Sequence, residues 1–138
     1  IKIYAQHVDE IDTATLIDIF RDEHNSCLLG TDAIRDGVDI PGQSLRMIVF
    51  DRVPWPRPTI LHKARRDHFG KKQYDDEITR FKLKQAYGRL IRRKEDRGVF
   101  VILDSMMPSR LANAFPKDVD IKRLPLKKAS EDIQDFLT

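Results

Sequence analysis

The chain holds a single cysteine, Cys27, among its 138 residues. One thiol closes no internal disulfide and completes no multi-cysteine metal site, so nothing points to an oxidising compartment or a stapled scaffold. No apolar run approaches the roughly 18 residues that cross a bilayer, and the N-terminus lacks the basic, apolar and small-residue order of a secretory leader. These absences predict no membrane partner and a cytoplasmic location. His62 and His68 stand six positions apart, a spacing that puts them on different sides of a helix, so no metal site is expected. There is no repeat, low-complexity tract or internal linker. A phosphate-cradling G-x-x-x-x-G-K-[ST] loop is also missing: G-T-D-A-I-R-D-G, residues 30–37, has the glycines without the Lys-Ser/Thr.

What is present suits one globular domain spanning residues 1–138. Hydrophobic residues make up 41% of the chain, enough to bury a core. The net charge of +3 is unevenly spread. Residues 1–42 carry three Lys/Arg against nine Asp/Glu, whereas residues 43–138 carry 22 against 13. From Arg80 to Lys94 there are seven basic residues and no acid. Such a run attracts phosphates whatever the base sequence, although a solvated helix face has the same composition.

Strand and helix signals alternate. Ile1 to Tyr4 is β-prone; Leu16, Ile17 and Phe20 mark a helix over Ile11 to His24, capped by Asp12 or Thr13. Ser26 to Thr31 and Leu45 to Phe50 read as buried strands. Pro54, Pro56 and Pro58 force an extended connection. Helices are predicted over Thr59 to Phe69 and Tyr74 to Arg93, a strand over Gly98 to Leu103, a helix opened by Pro108, and a last helix over Ala129 to Leu137. The alternation favours a parallel sheet with helices packed on it. Cys27, within the first of the apolar runs, reads as a buried small hydrophobe.

Within the longest predicted helix, Q-A-Y-G-R-L-I-R-R places a glycine where alanine would be better by about 1 kcal/mol. On a wheel of about 100° per residue with Gln85 at zero, Gly88 falls near −60°, Arg92 near −20° and Arg89 near 40°. Leu83, Ala86, Tyr87 and Leu90 lie on the other side. One face packs and the other presents two arginines around a gap, whose guanidinium forks suit phosphate oxygens.

Gln85, Gly88, Arg89 and Arg92 fill a Q-x-x-G-R-x-x-R pattern that resembles the sixth motif of superfamily-two helicases. The longer run L-K-Q-A-Y-G-R-L-I-R-R-K-E-D-R-G-V-F-V-I-L-D resembles the DinG-type helicases, relatives of the XPD-type iron–sulfur helicases. Upstream, L-L-G-T-D-A-I-R-D-G-V-D-I-P-G resembles that family's fifth motif, and L-R-M-I-V-F-D-R-V-P-W-P-R-P resembles the strand and proline loop that follow it. The matches stand in family order over about Ser26 to Leu111. The resemblance implies a three-layer α/β RecA-like domain of the P-loop NTPase type, with a largely parallel sheet flanked by helices. By the same resemblance it is expected to be the second motor domain of a helicase, truncated at its N-terminus.

The same resemblance implies the chemistry. Arg92 is the expected arginine finger and Arg89 a second phosphate contact, both directed at ATP. Gln85 links nucleotide to the opposite domain, Gly88 permits close approach, and Gly37 and Asp39 lie at the same cleft. Thr31 is the expected DNA-backbone contact. Where the family has Ser-Phe-Trp-Glu, this chain has Ala33, Ile34, Arg35 and Asp36, which leaves Arg35 as the phosphate contact on that loop; Met106 replaces a family arginine and receives no role. ATP and magnesium are expected on the first RecA-like domain of the parent. Any iron–sulfur cluster likewise belongs to the parent, since its four cysteines are absent. The partners implied are single-stranded DNA and that first domain, and the chain alone is expected to hydrolyse no ATP. Outside this resemblance, a non-enzymatic nucleic-acid-binding module or an ATPase-docking module fits the composition. Trp55 is a base-stacking or packing residue, and Arg57, Lys63, Arg65, Arg66, Lys71 and Lys72 form a second basic cluster.

Overall fold

The computed structural model describes residues 1–35, 39–40 and 42–138, and of residues 36 and 37 only their place in a helix. The chain divides into two compact units: Ile1–Ile48 with Gly88–Val99, and Val49–Tyr87 with Phe100–Thr138.

In the first unit, strand β1 (Lys2–Ala5) runs parallel to β2 (Ser26–Leu29), with Ile3 opposite Cys27 and Ala5 opposite Leu29. Helix α1 (Thr13–Asp22) connects them and packs on β2. Its apolar stripe, Leu16, Ile17 and Phe20, is buried. Asp12 is the cap: its carboxylate accepts the Thr15 amide at 3.1 Å and the Thr15 hydroxyl at 2.6 Å, satisfying a first-turn N–H that the helix itself leaves unpaired. At the other end Glu23 accepts from Lys2 Nζ at 2.9 Å and Tyr4 Oη at 2.8 Å, tying the helix end to β1. Helix α2 (Asp32–Gly37) was not foreseen. The Thr31 carbonyl accepts the Ile34 and Arg35 amides at its start.

The strands are covered on one side. Ser26 and Leu28 are partly buried, whereas Cys27 and Leu29 are exposed, and Ile3 keeps 65% of its surface. This corrects the expectation of a buried Cys27: with period-two alternation, every second side chain of β2 points away from the covered face. The strand also stops at Leu29 rather than at Thr31.

Strands β3 (Met47–Phe50) and β4 (Val99–Ile102) form a second pair. The Val99 amide donates to the Arg46 carbonyl at 3.0 Å and the Leu103 amide to the Phe50 carbonyl at 2.8 Å. The partners advance by equal steps on both strands, which is a parallel pairing. β3 alternates too, with Met47 and Val49 exposed, so the expected fully buried strand from Leu45 is a shorter, half-covered one.

The second unit is built on Val53, Leu83, Leu111 and Ala114, with Phe50, Phe100, Ile102, Met107 and Phe115 packed against them. Helix α3 (Ile60–Phe69) is capped by Thr59, whose hydroxyl accepts the His62 amide, and is stopped by Gly70 at φ 102°, a left-handed conformation that favours glycine. Helix α4 runs over Lys72–Leu90. Its Asp76 is buried and receives a two-pronged bond from Arg110, Nε to Oδ2 at 2.6 Å and Nη2 to Oδ1 at 3.1 Å. The helix expected after Pro108 is present as a short 3-10 helix, Ser109–Ala114, with Pro108 at its N-cap, and it buries Leu111 and Ala114. Arg80 braces it, donating to Asn113 Oδ1 at 2.8 Å and to the Arg110 carbonyl at 3.2 Å, so one member of the basic run is structural. Helix α5 (Leu126–Leu137) starts three residues before the expected Ala129, following Pro125, whose φ of −59° suits a helix entry.

Candidate functional site

Helix α4 ends at Leu90, short of the expected Arg93. The amides of Arg92 and Arg93 both donate to Asp96 Oδ2 at 2.8 Å, and the Asp96 amide donates to the Arg93 carbonyl at 3.1 Å. A carboxylate that accepts two consecutive amides competes with the helical acceptors and stops the helix. Those bonds, from Arg93 and then Arg92, hold the Asp96 carboxyl below the usual carboxylate range. Arg92 therefore sits just beyond the helix, not on the wheel position assigned to it.

The Arg92 side chain is 27% exposed, and its Nη1 donates to Asp39 Oδ1. Arg21, at the end of α1, donates from Nη2 to the Asp39 carbonyl at 3.2 Å and from Nη1 to Asp18 Oδ1 at 2.9 Å. Ser44 fastens the same region by donating its hydroxyl to the Arg21 carbonyl at 2.8 Å. The Asp39 carboxyl is held low first by the Arg92 hydrogen bond and charge, and further by the charges of Arg21 and Arg89. Three guanidinium groups thus act on one carboxylate. Asp39 was expected near Arg92 and Arg89; Arg21 was not.

On α4, Gln85 and Gly88 are exposed and Arg89 is partly buried. A Cβ built on Gly88 meets nothing within 4 Å, so no packing inside this chain requires the glycine. Gly98 is the contrary case: a Cβ there stands 2.5 Å from Leu90 Cδ1 and 3.1 Å from the Arg46 carbonyl oxygen.

The remaining expected residues are engaged within the chain. Thr31 donates its amide and its hydroxyl to Gln6 Oε1, each at 3.0 Å. Arg35 is largely covered and donates to Asp32 Oδ1 at 3.2 Å. Gly37 lies outside the described residues except as the last residue of α2. His62 and Arg66 share Asp75, Nε2 to Oδ1 and Nε to Oδ2, both at 2.8 Å, and His62 stacks on Tyr74 at 5.6 Å. Among the described residues no three His, Cys, Asp or Glu side chains gather as metal ligands. Trp55 is 39% exposed in the proline connection.

Asp104, which follows β4, was given no task by sequence. Its Oδ2 accepts the Val53 amide at 3.0 Å and its Oδ1 the Met106 amide at 2.9 Å, and these bonds hold its carboxyl low. It anchors the start of the proline connection. The available signal was its place at the end of an apolar strand.

The model of the helicase C-terminal domain family matches residues 1–120. The chain belongs to that family. It is 38% identical over 102 residues to the ATP-dependent helicase DinG of Mycobacterium tuberculosis, covering 69% of this chain and 15% of the relative. It is 34% identical over 110 residues to the ATP-dependent DNA helicase YoaA of Escherichia coli, covering 73% and 17%. A Bacillus subtilis relative, the 3'-5' exonuclease DinG, is 30% identical over 113 residues, covering 75% and 12%. The chain is thus a C-terminal helicase domain of the DinG type and spans less than a fifth of the length of these relatives. Its mixture of helices and parallel strands agrees with a truncated RecA-like helicase C-terminal domain. No helix among the described residues is long and apolar enough to cross a membrane.

Proposed function

We propose that residues 1–138 are the C-terminal part of the second RecA-like domain of a cytoplasmic ATP-dependent DNA helicase. ATP and magnesium are held mainly by the first motor domain of the same parent, and this chain supplies charge to the far side of the nucleotide. Arg92 is the finger, Arg89 a second phosphate contact, Gln85 the link between nucleotide and the opposite domain, and Gly88 the point of close approach. Gly37 and Asp39 complete that edge, Asp39 exchanging Arg92 for the ribose or holding the arginine until phosphate competes for it. Thr31 and Arg35 face the backbone of single-stranded DNA, releasing Gln6 and Asp32 to do so. Any iron–sulfur cluster of the parent lies outside this stretch.

The observation that carries this reading is the bond from Arg92 to the Asp39 carboxylate, beside the bond from Arg21 to the Asp39 carbonyl. Phosphoryl transfer depends on positioned positive charge more than on covalent chemistry, and an arginine already oriented costs little to redirect onto a developing phosphate charge. In the full-length helicase, Arg92→Ala is expected to lower DNA-stimulated ATP turnover by about 10³ to 10⁵, the range for arginine fingers, while DNA binding persists. Near-normal turnover would remove the finger assignment. The chain by itself is expected to show no turnover above background; magnesium-dependent hydrolysis by the pure chain would contradict a nucleotide held mainly elsewhere.

A further inference from the structure

We propose that Asp96 is the positioning residue for Arg92: its carboxylate ends α4 at Leu90 and so decides whether Arg92 stands on a helix face or in the loop beside Asp39. The catalytic part of this inference rests on the finger reading above; the structural part does not.

The residues around the helix end would rather continue it. R-L-I-R-R-K-E, residues 89–95, consists mainly of strong helix formers with no glycine or proline before Gly98. Propagation should carry α4 through Arg93, since adding a residue to an existing helix costs little. Instead the Arg92 and Arg93 amides leave the helical ladder for Asp96 Oδ2, each at 2.8 Å. The return bond from the Asp96 amide to the Arg93 carbonyl at 3.1 Å closes the turn. Two amides on one charged oxygen are charge-assisted bonds, stronger than the neutral carbonyl bonds they replace.

Gly98 fixes the other end of the turn. It lies against Leu90 and the Arg46 carbonyl, and Leu90 is itself buried at 4% exposure. The loop from Ile91 to Arg97 is therefore pinned at Leu90 and at Gly98, and Asp96 selects its internal path. Arg92 is the residue whose side chain the path carries to Asp39. Loss of the accepting side-chain oxygen lets α4 wind on by one turn and swings Arg92 away with the wheel, leaving its charge intact but misplaced.

The 138-residue chain tests the structural part. By NMR, Asp96→Ala should give helical backbone shifts at Ile91, Arg92 and Arg93 and remove the Arg92 contact to Asp39. Asp96→Asn, whose amide oxygen can still accept both N–H groups, should retain the native turn. Unchanged shifts in a folded Asp96→Ala chain would overturn the proposal. If that variant fails to fold, Asp96→Asn and Asp96→Ser carry the test. The native turn should then be kept by Asn and lost with the shorter Ser, and its retention by both would overturn it.

In the full-length helicase, Asp96→Ala should lower kcat for ATP by about 10²-fold, the scale of a misplacement near 1 Å, with KM within about twofold and with Asn restoring most of the rate. A normal kcat for Asp96→Ala beside a crippled Arg92→Ala would overturn the positioning role alone. Normal rates in both variants, with the helix end shifted as expected, would overturn the finger reading and leave Asp96 as the residue that sets the helix end.

Discussion

Leu90 lies so close to Gly98 that the glycine has no room for a side chain, with Leu90 Cδ1 only 2.5 Å from where a Cβ would stand. The same test at Gly88 finds open space. The two glycines thus stand in opposite surroundings, and substitution separates them. Gly98→Ala is expected to destabilise the chain by about 1–3 kcal/mol through overpacking against a buried leucine. Gly88→Ala should stabilise it by about 0.5–1 kcal/mol, the helix-interior gain over glycine. Urea unfolding of the two variants measures both signs. If Gly88 is the point of close approach proposed above, Gly88→Val should nonetheless slow ATP turnover in the full-length helicase, and normal turnover would remove that assignment.

The bond from Arg110 to Asp76 supports a second expectation. Asp76 is 6% exposed, and both of its carboxylate oxygens accept from Arg110. Arg110→Ala should lower the melting temperature by leaving the buried Asp76 charge without its two bonds, though by less than for a fully buried pair because Arg110 itself reaches water. Joint replacement, Asp76→Leu with Arg110→Met, should recover much of that loss in thermal melts. Equal destabilisation by the single and double variants would show that the pair matters for shape and not for charge.

Acid should unfold the chain through a definable set of groups. The carboxyls of Asp76, Asp96 and Asp104 are all held below the ordinary value, by Arg110, by the Arg93 and Arg92 amides, and by the Val53 and Met106 amides respectively. Unfolded aspartates take up protons near pH about 3.9. Below that value the unfolded chain binds protons that the folded chain refuses, so their contribution is complete at neutral pH and is lost as pH falls through the depressed native values. The melting temperature should therefore respond little to these groups near neutrality and drop steeply below pH about 4. Asp104→Asn should lower stability at pH 7 and flatten the acid limb. An acid limb identical to the unmodified chain would exclude Asp104 from the set.

The basic stretch over residues 43–138 predicts weak, sequence-tolerant binding of single-stranded oligonucleotides. Counterion release makes such binding fall linearly with the logarithm of salt concentration, by about 0.7 per phosphate contact. Fluorescence titrations at low and moderate salt should show that slope, reduced in Lys82→Ala. Tight binding indifferent to salt would argue for base stacking, with Trp55 as the first residue to vary.

The fold was legible wherever local chemistry decides it. The spacing of Leu16, Ile17 and Phe20 placed α1, and the motif strand before Asp104 placed β4, because periodicity and β-branched runs are local signals. The element ends were not. The continuation of α4 past Leu90 is favoured by most residues up to Glu95, and it is stopped by a carboxylate further along the chain. Likewise Cys27 sits in an apolar run that reads as buried, and only the one-sided packing of α1 leaves it outside. Asp39, Arg89 and Arg92 were expected at one place through motif resemblance; Arg21 joins them from α1, a contact between residues 18 positions apart that no spacing rule announces.

The uncovered face of the β1 and β2 pair gives the molecule a built-in reporter. Its only thiol, on Cys27, opens to solvent beside the apolar surfaces of Ile3 and Leu29. A maleimide dye added to the natural sequence would therefore go to one defined place without any engineered residue. The rate of that labelling, followed over time, is a footprint of whatever later shields the sheet.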